Sequence, residues 1–96
     1  MNKHYIIEKL KEIKPVLHQK YGVTELALFG SYSRDEQSEQ SDIDIMFDYE
    51  GKMGWKIFDV FYSLDDLFPD KKVQVASKRG IKEKYFNTLK QDLIYA

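Results

Sequence analysis

Hydrophobic residues at the start of the chain recur at helical spacing, with Ile6, Leu10, Ile13 and Leu17 on one stripe between roughly Lys3 and Tyr21. Pro15 lies inside that stripe. An internal proline costs a helix ~3 kcal/mol, so a kink or a break into two short helices is expected there. Gly22 is placed to stop the helix. Glu25 to Phe29 is a short apolar run bounded by turn residues, the pattern of a buried strand. Gly30 and Ser31 follow at once, with a few helix-compatible residues after them, which describes a strand-to-helix turn. Asp35 to Ser41 is polar throughout and reads as a loop.

The clearest strand runs from Asp42 to Tyr49. There Ile43, Ile45 and Phe47 point one way, and Asp42, Asp44, Met46 and Asp48 the other. Gly51 and Gly54 frame a turn, after which Trp55 to Phe68 reads as a helix ended by Pro69-Asp70. Its main stripe is Ile57, Val60, Phe61, Leu64, Leu67 and Phe68. A second stripe of Trp55, Phe58 and Tyr62 either packs against the first helix or meets a partner, because so small a protein has little room to bury it. Lys72 to Ser77 predicts a short strand, and Ile81 to Tyr95 a final helix with Ile81, Tyr85, Leu89 and Leu93 inward. The order α-β-(short α)-β-α-β-α predicts a three-stranded sheet with helices packed over it, in an α/β or α+β arrangement.

With 96 residues, the chain is expected to be one domain over 1–96, with a thin core and one catalytic layer at most. Its 15 basic and 16 acidic residues argue against general nucleic-acid binding, which needs a basic face. A nucleotide carried by a metal ion remains compatible with that balance. The absence of cysteine excludes disulfides and thiolate metal sites. No apolar run approaches the ~20 residues of a membrane span, and the first residues lack a secretory pattern, so a cytoplasmic location is expected.

The chemistry concentrates in one segment, Leu28-Phe29-Gly30-Ser31 through Arg34 to Ser41-Asp42-Ile43-Asp44. Two apart on a strand, the Asp42 and Asp44 carboxylates share a face ~6.6–6.8 Å apart. Bare, they repel by ~2.5 kcal/mol at an effective dielectric of 20, and a divalent cation between them removes that repulsion. Hard oxygen ligands suit Mg²⁺, which takes its remaining ligands from water and phosphates. At Gly30 a phosphate can approach the backbone closely, and free N–H groups at a helix start favour an anion. The Ser31 hydroxyl can donate to a phosphate oxygen, and Arg34 can pair with a phosphate or with the acidic loop. Asp-x-Asp alone usually marks a solvated strand end, and Gly-Ser alone a turn. Their combination, each at the end of a strand, points to a nucleotide site.

Other candidates carry less. His4 and His18 lie fourteen apart on the first helix and do not pair as ligands. The run Lys78-Arg79-Gly80-Ile81-Lys82-Glu83-Lys84 is a solvated helix start or, alternatively, an aid to triphosphate binding.

At Phe29-Gly30-Ser31-x-x-Arg34 and Ser41-Asp42-Ile43-Asp44-Ile45 the chain resembles the minimal nucleotidyltransferases of the DNA polymerase β superfamily, and the likeness extends over nearly its whole length. The resemblance implies a polymerase β-like core, a small three-stranded mixed sheet packed with about four helices. It implies that Gly30 and Ser31 hold a triphosphate and that Asp42 and Asp44 hold two Mg²⁺, with Mn²⁺ as a substitute. Many such domains stand beside a HEPN-domain toxin in a toxin–antitoxin pair and transfer AMP from ATP to a toxin tyrosine. The family expects a third carboxylate on the next strand, in a Val-Asp-Leu/Val setting, where this chain reads Val73-Gln74-Val75. Gln74 offers a neutral oxygen but cannot take a proton, and losing a positioned base costs ~10²–10⁴ in rate. Asp48 shares the face of Asp42 and Asp44 but lies ~13 Å along the strand from Asp44, too far to substitute.

Two readings follow. In the first, the chain transfers NMP, AMP from ATP, onto a hydroxyl of a partner protein. In the second, it is a catalytically impaired nucleotidyltransferase fold that acts by binding its partner. The chain is too small to enclose a triphosphate alone, so a homo- or hetero-oligomer is expected to complete the site.

Overall fold

The computed structural model describes all residues, 1–96. Helix α1 spans Lys3–Tyr21 and is capped by the Asn2 side chain, which accepts from the Tyr5 N–H at 3.0 Å. It runs through Pro15 without a break, so the expected division into two short helices does not occur. Ile6 and Leu10 before the proline and Leu17 after it are buried in one core, which holds both halves of the helix against the sheet. The carbonyl that loses its helical donor belongs to exposed Lys11 and is open to water. Gly22 ends the helix in the left-handed region, φ +79°, its N–H returning to the carbonyls of Leu17 and His18.

Strand β1 (Val23–Phe29) pairs antiparallel with β2 (Ile43–Tyr49), which pairs parallel with β3 (Val73–Ser77). Between β2 and β3 lies α2, Lys56–Asp66. The sheet has a fourth strand that the sequence pattern did not predict, β4 (Ile94–Tyr95), antiparallel to Ala27 and Leu28 of β1. The order is β3-β2-β1-β4, a mixed sheet.

The long final helix expected over Ile81 to Tyr95 is correspondingly cut short. Only Glu83–Leu89 is α-helical (α3), with one 3-10 turn before it at Lys78–Gly80 and another after it at Lys90–Asp92. The outer edge of β1 explains the change, because its backbone groups need partners. Ile94 and Tyr95 supply them, and the Ala96 N–H donates to the Leu26 carbonyl at 2.8 Å. The short helix expected after Gly30-Ser31 is also absent. Hydrogen-bonded turns over Ser31–Asp35 stand in its place, so the fold has three α-helices rather than about four.

Register sorts the two sheet faces. Leu26 and Leu28 lie opposite Phe47 and Ile45, and with Ile43 they form the face on which α1 and α2 pack. The other face carries Asp44, Met46 and Asp48 opposite Phe29, Ala27 and Glu25. Ala27 and Met46 are fully buried there, beneath the C-terminal 3-10 turns. Buried on both faces, the centre of the sheet holds its ends in place, and the acidic residues sit at one end.

The aromatic stripe of α2 does not pack against α1. Trp55, Phe58 and Tyr62 are 85, 48 and 69% exposed, while Val60 and Leu64 fill the core side of the helix.

Candidate functional site

Three neighbouring strand ends bring the sequence-predicted site residues together. Phe29 is in register with Asp44, so Gly30 leaves β1 directly beside the Asp44 side chain. Gly30 has φ +78°, and a Cβ built there would stand 2.2 Å from Asp44 Oδ2. Glycine is therefore required twice, by the backbone conformation and by the carboxylate packed against it. Ser31 and Tyr32 begin the turn that follows, and their N–H groups make no hydrogen bond within the chain, whereas the next four N–H groups all do. With no helix starting here, the two free donors beside a glycine offer an anion only a small turn-type cradle. Ser33 fixes its shape, its hydroxyl donating to the Gly30 carbonyl at 2.8 Å from a buried position.

Gln74 on β3 is in register with Asp44, and its Nε2 donates to Asp42 Oδ2 at 2.8 Å. The residue standing where the resemblance implies a third carboxylate thus lies against Asp42. No third acidic, histidine or cysteine side chain joins Asp42 and Asp44 to make a metal cluster. Asp48 is engaged elsewhere, by Arg79 Nε at 3.3 Å.

Arg34 reaches back to the acidic loop and further, with Nε to Glu36 Oε2 at 3.2 Å and Nη1 to Asp92 Oδ2 at 2.6 Å. Hydrogen bonding first to Asp92 and then to Glu36 raises its pKa. Asp92 belongs to the turn before β4, and nothing in the sequence connects it to a residue 58 positions earlier. Sequence reasoning also passed over Ser33, although its place in Gly30-Ser31-Tyr32-Ser33 offered a signal. The two basic residues opening the Lys78–Lys84 run are engaged away from Gly30 and Ser31. Lys78 pairs with Glu25 at 3.5 Å, and Arg79 holds Asp48 and lies 4.2 Å over the Tyr49 ring, at the opposite end of β2.

The electrostatics of the pair fit a divalent cation. Desolvation, followed by the charge of Asp42, raises the Asp44 pKa, and Arg34 offsets part of that rise. An ion of charge +2 held by the two carboxylates relieves both effects at once. The donors present fit one such ion, with the Gln74 amide as a neutral neighbour. A second ion finds no third carboxylate.

This arrangement carries a cost in stability. Because folding raises the Asp44 pKa, the penalty for its ionised form is full above the folded value and absent below the ordinary carboxylate range. In chelator, Asp44→Asn is therefore expected to be more stable than the parent chain at pH 7, with the difference closing toward pH 3. Urea melts at both pH values measure this, and an equal difference at the two would contradict the electrostatic cause.

Comparison with known proteins identifies the family and the fold. Residues 10–94 match the family model described as a nucleotidyltransferase domain. Two candidate protein adenylyltransferases of Methanocaldococcus jannaschii are similar. One is 42% identical over 90% of this chain and 89% of its own, the other 40% identical over 94 and 93%. The protein adenylyltransferase MntA of Thermococcus cleftensis is 29% identical over 85% of this chain and 83% of its own. Among solved structures, a candidate minimal nucleotidyltransferase shares the fold with a TM-score of 0.76 at 23% identity, covering 98% of this chain and 95% of that one. A toxin–antitoxin structure with AMP-PNP shares it with a TM-score of 0.63 at 22% identity, covering 99% of this chain and 72% of that one. The family model spans most of the sequence and relatives are 40% identical or more across nearly all of it, and on that evidence the chain belongs to the nucleotidyltransferase domain family.

Proposed function

We propose that this chain transfers AMP from ATP to a hydroxyl of a partner protein, and that the partner is the HEPN-type toxin of a toxin–antitoxin pair. The observation that carries the reading is the contact of Gly30 with Asp44, which puts the anion cradle and the acidic pair on one surface. Relatives named as protein adenylyltransferases and the toxin–antitoxin structure with AMP-PNP support the choice of AMP and of a toxin.

The Ser31 and Tyr32 N–H groups and the Ser31 hydroxyl bind and orient the phosphates. Asp42 and Asp44 would hold a divalent cation, Mg²⁺ by the hardness of their oxygens, and when bound it neutralises triphosphate charge as pyrophosphate leaves. The acceptor oxygen forms a bond to the α-phosphorus as the bond to the β-phosphate bridging oxygen breaks. The acceptor proton finds no base at Gln74, whose amide is already donating to Asp42. It passes to solvent or to a group on the partner. Such transfer leans on positioning and electrostatics, so a slow rate survives without a base. No surface cavity is lined by Gly30, Asp42 or Asp44, so the acidic pair lies outside any cavity, where a partner can cover it.

The Gln74–Asp42 hydrogen bond favours a second reading, in which the chain binds its partner without transferring nucleotide. One experiment separates the two. The chain is incubated with α-labelled ATP, Mg²⁺ or Mn²⁺, and the product of the neighbouring gene. Label is expected on that product, falling about 10²–10³-fold in Asp44→Asn, the scale of losing a major electrostatic element of an active site. Transfer unaffected by Asp44→Asn would remove the metal-site assignment, and tight binding without label would favour the second reading.

A further inference from the structure

The outward face of α2 is unusual for a short helix. Trp55, Phe58 and Tyr62 follow one another along it, Trp55 stacked on Phe58 with ring centroids 5.8 Å apart. At about 150–250 Å² per aromatic side chain, their exposures of 85, 48 and 69% leave on the order of 400 Å² of aromatic surface. Charges frame this surface at both ends. Lys56 is the first residue of the helix, and Asp65 and Asp66 are the last. None of these three takes part in an ion pair within the chain. Each also stands at the wrong end for its own helix dipole, which favours anions at the N-terminus and cations at the C-terminus.

We propose that this face pairs with the same face of a second copy of the chain, the two α2 helices antiparallel about a two-fold axis between Asp59 and Tyr62. An antiparallel arrangement sets the Lys56 end of each helix against the Asp65–Asp66 end of the other. It therefore supplies both unpaired ends with opposite charge while covering the aromatic stripe. At 100° per residue, Lys56 and Asp66 fall on the same side of the stripe centred on Trp55 and Tyr62. A two-fold axis perpendicular to the paired helices keeps those sides together, so the pairs form symmetrically, as an isologous interface requires. With the flanking polar residues, two copies bury an area near the ~1,000 Å² lower bound for a specific contact, which implies a reversible dimer. Helix α2 packs on the Ile43–Ile45–Phe47 face of the sheet, and Asp44 is on the other. The dimer leaves both acidic sites open, and the proposal does not depend on the activity assigned to them.

Sedimentation equilibrium of the full chain tests it. A dimer with a dissociation constant of about 10–100 µM is expected, the weak end for an interface of this size. Trp55→Arg, at a position 85% exposed and so harmless to folding, is expected to weaken it at least about tenfold. Lys56→Asp sets like charges against each other twice and weakens it as well. Lys56→Asp combined with Asp66→Lys restores opposite pairing across the axis and is expected to return the constant to within about threefold of the parent. A chain that stays monomeric to 500 µM overturns the proposal. So does a charge reversal that fails to rescue. A face that captures the neighbouring gene product but shows no self-association overturns it too.

Discussion

Gly30→Ala is expected to abolish label transfer and to destabilise the fold by about 2–4 kcal/mol. Two penalties combine. A non-glycine residue held at φ +78° costs roughly 1–2 kcal/mol. Placing a methyl group against Asp44 Oδ2 displaces that carboxylate, the movable end of its side chain, at roughly 1–2 kcal/mol. For a domain of this size the melting temperature falls by about 10–25 °C. Gly51 provides the control, since it has φ +72° and nothing within 4 Å of a built Cβ. Gly51→Ala carries the conformational penalty alone, so the excess loss in Gly30→Ala measures the collision with Asp44. Adding Asp44→Ala to Gly30→Ala is expected to recover about 1 kcal/mol or more, the coupling of two side chains in contact. Equal destabilisation at Gly30 and Gly51 would mean that the cradle and the carboxylate are not mutually fitted.

Gln74→Asp is expected to accelerate transfer by about 10²–10⁴-fold, the contribution of a positioned base. Gln74 is in register with Asp44 on the adjacent strand, so a carboxylate there lies ~4.8 Å from Asp44 at the level of the backbone. The same substitution removes the hydrogen bond to Asp42 and adds a third negative charge. The metal-free variant is therefore expected to be less stable than the parent chain and to gain more from Mg²⁺ in a thermal melt. Faster transfer with a steeper Mg²⁺ dependence supports a site whose chemistry is limited by Gln74. A rate unchanged by Gln74→Asp, with Mg²⁺ stabilisation increased, would assign the proton to the partner instead.

Much of this was legible before any coordinate. The alternation from Ile43 to Phe47 separated a core face from an acidic face, and the register of β1 and β2 keeps that division. Gln74 was recognisable as a departure only through the family resemblance, which implies a carboxylate in the Val73-Gln74-Val75 setting; its place beside the acids comes from the pairing of β2 with β3. What escaped were contacts between residues far apart in sequence. Arg34 could be expected to pair with the acidic loop, but Asp92 comes from a turn that exists only because the chain stops being helical to reach β1. The residues Ile81, Tyr85, Leu89 and Leu93 keep helical periodicity into that turn, so no local signal ends α3 early. The need of an edge strand for backbone partners does. Pro15 is a similar case, where burial of Ile6, Leu10 and Leu17 in one core outweighs a local penalty.

The family pattern pointed to Gln74, whereas local sequence supplied the other ingredients of the candidate site: a glycine and serine after one strand and two aspartates opening the next. These depend on strand periodicity and turn chemistry, which are local and follow from side chain and backbone. How they meet depends on the tertiary structure. Antiparallel pairing of β1 with β2 presses Gly30 on Asp44, and parallel pairing of β2 with β3 hands the Gln74 amide to Asp42. It also decided that the aromatic stripe of α2 faces outward, because Val60 and Leu64 took the core side of that helix. Register and packing are properties of the whole chain, since one strand's hydrogen bonds and one helix's burial are set by partners dozens of residues away.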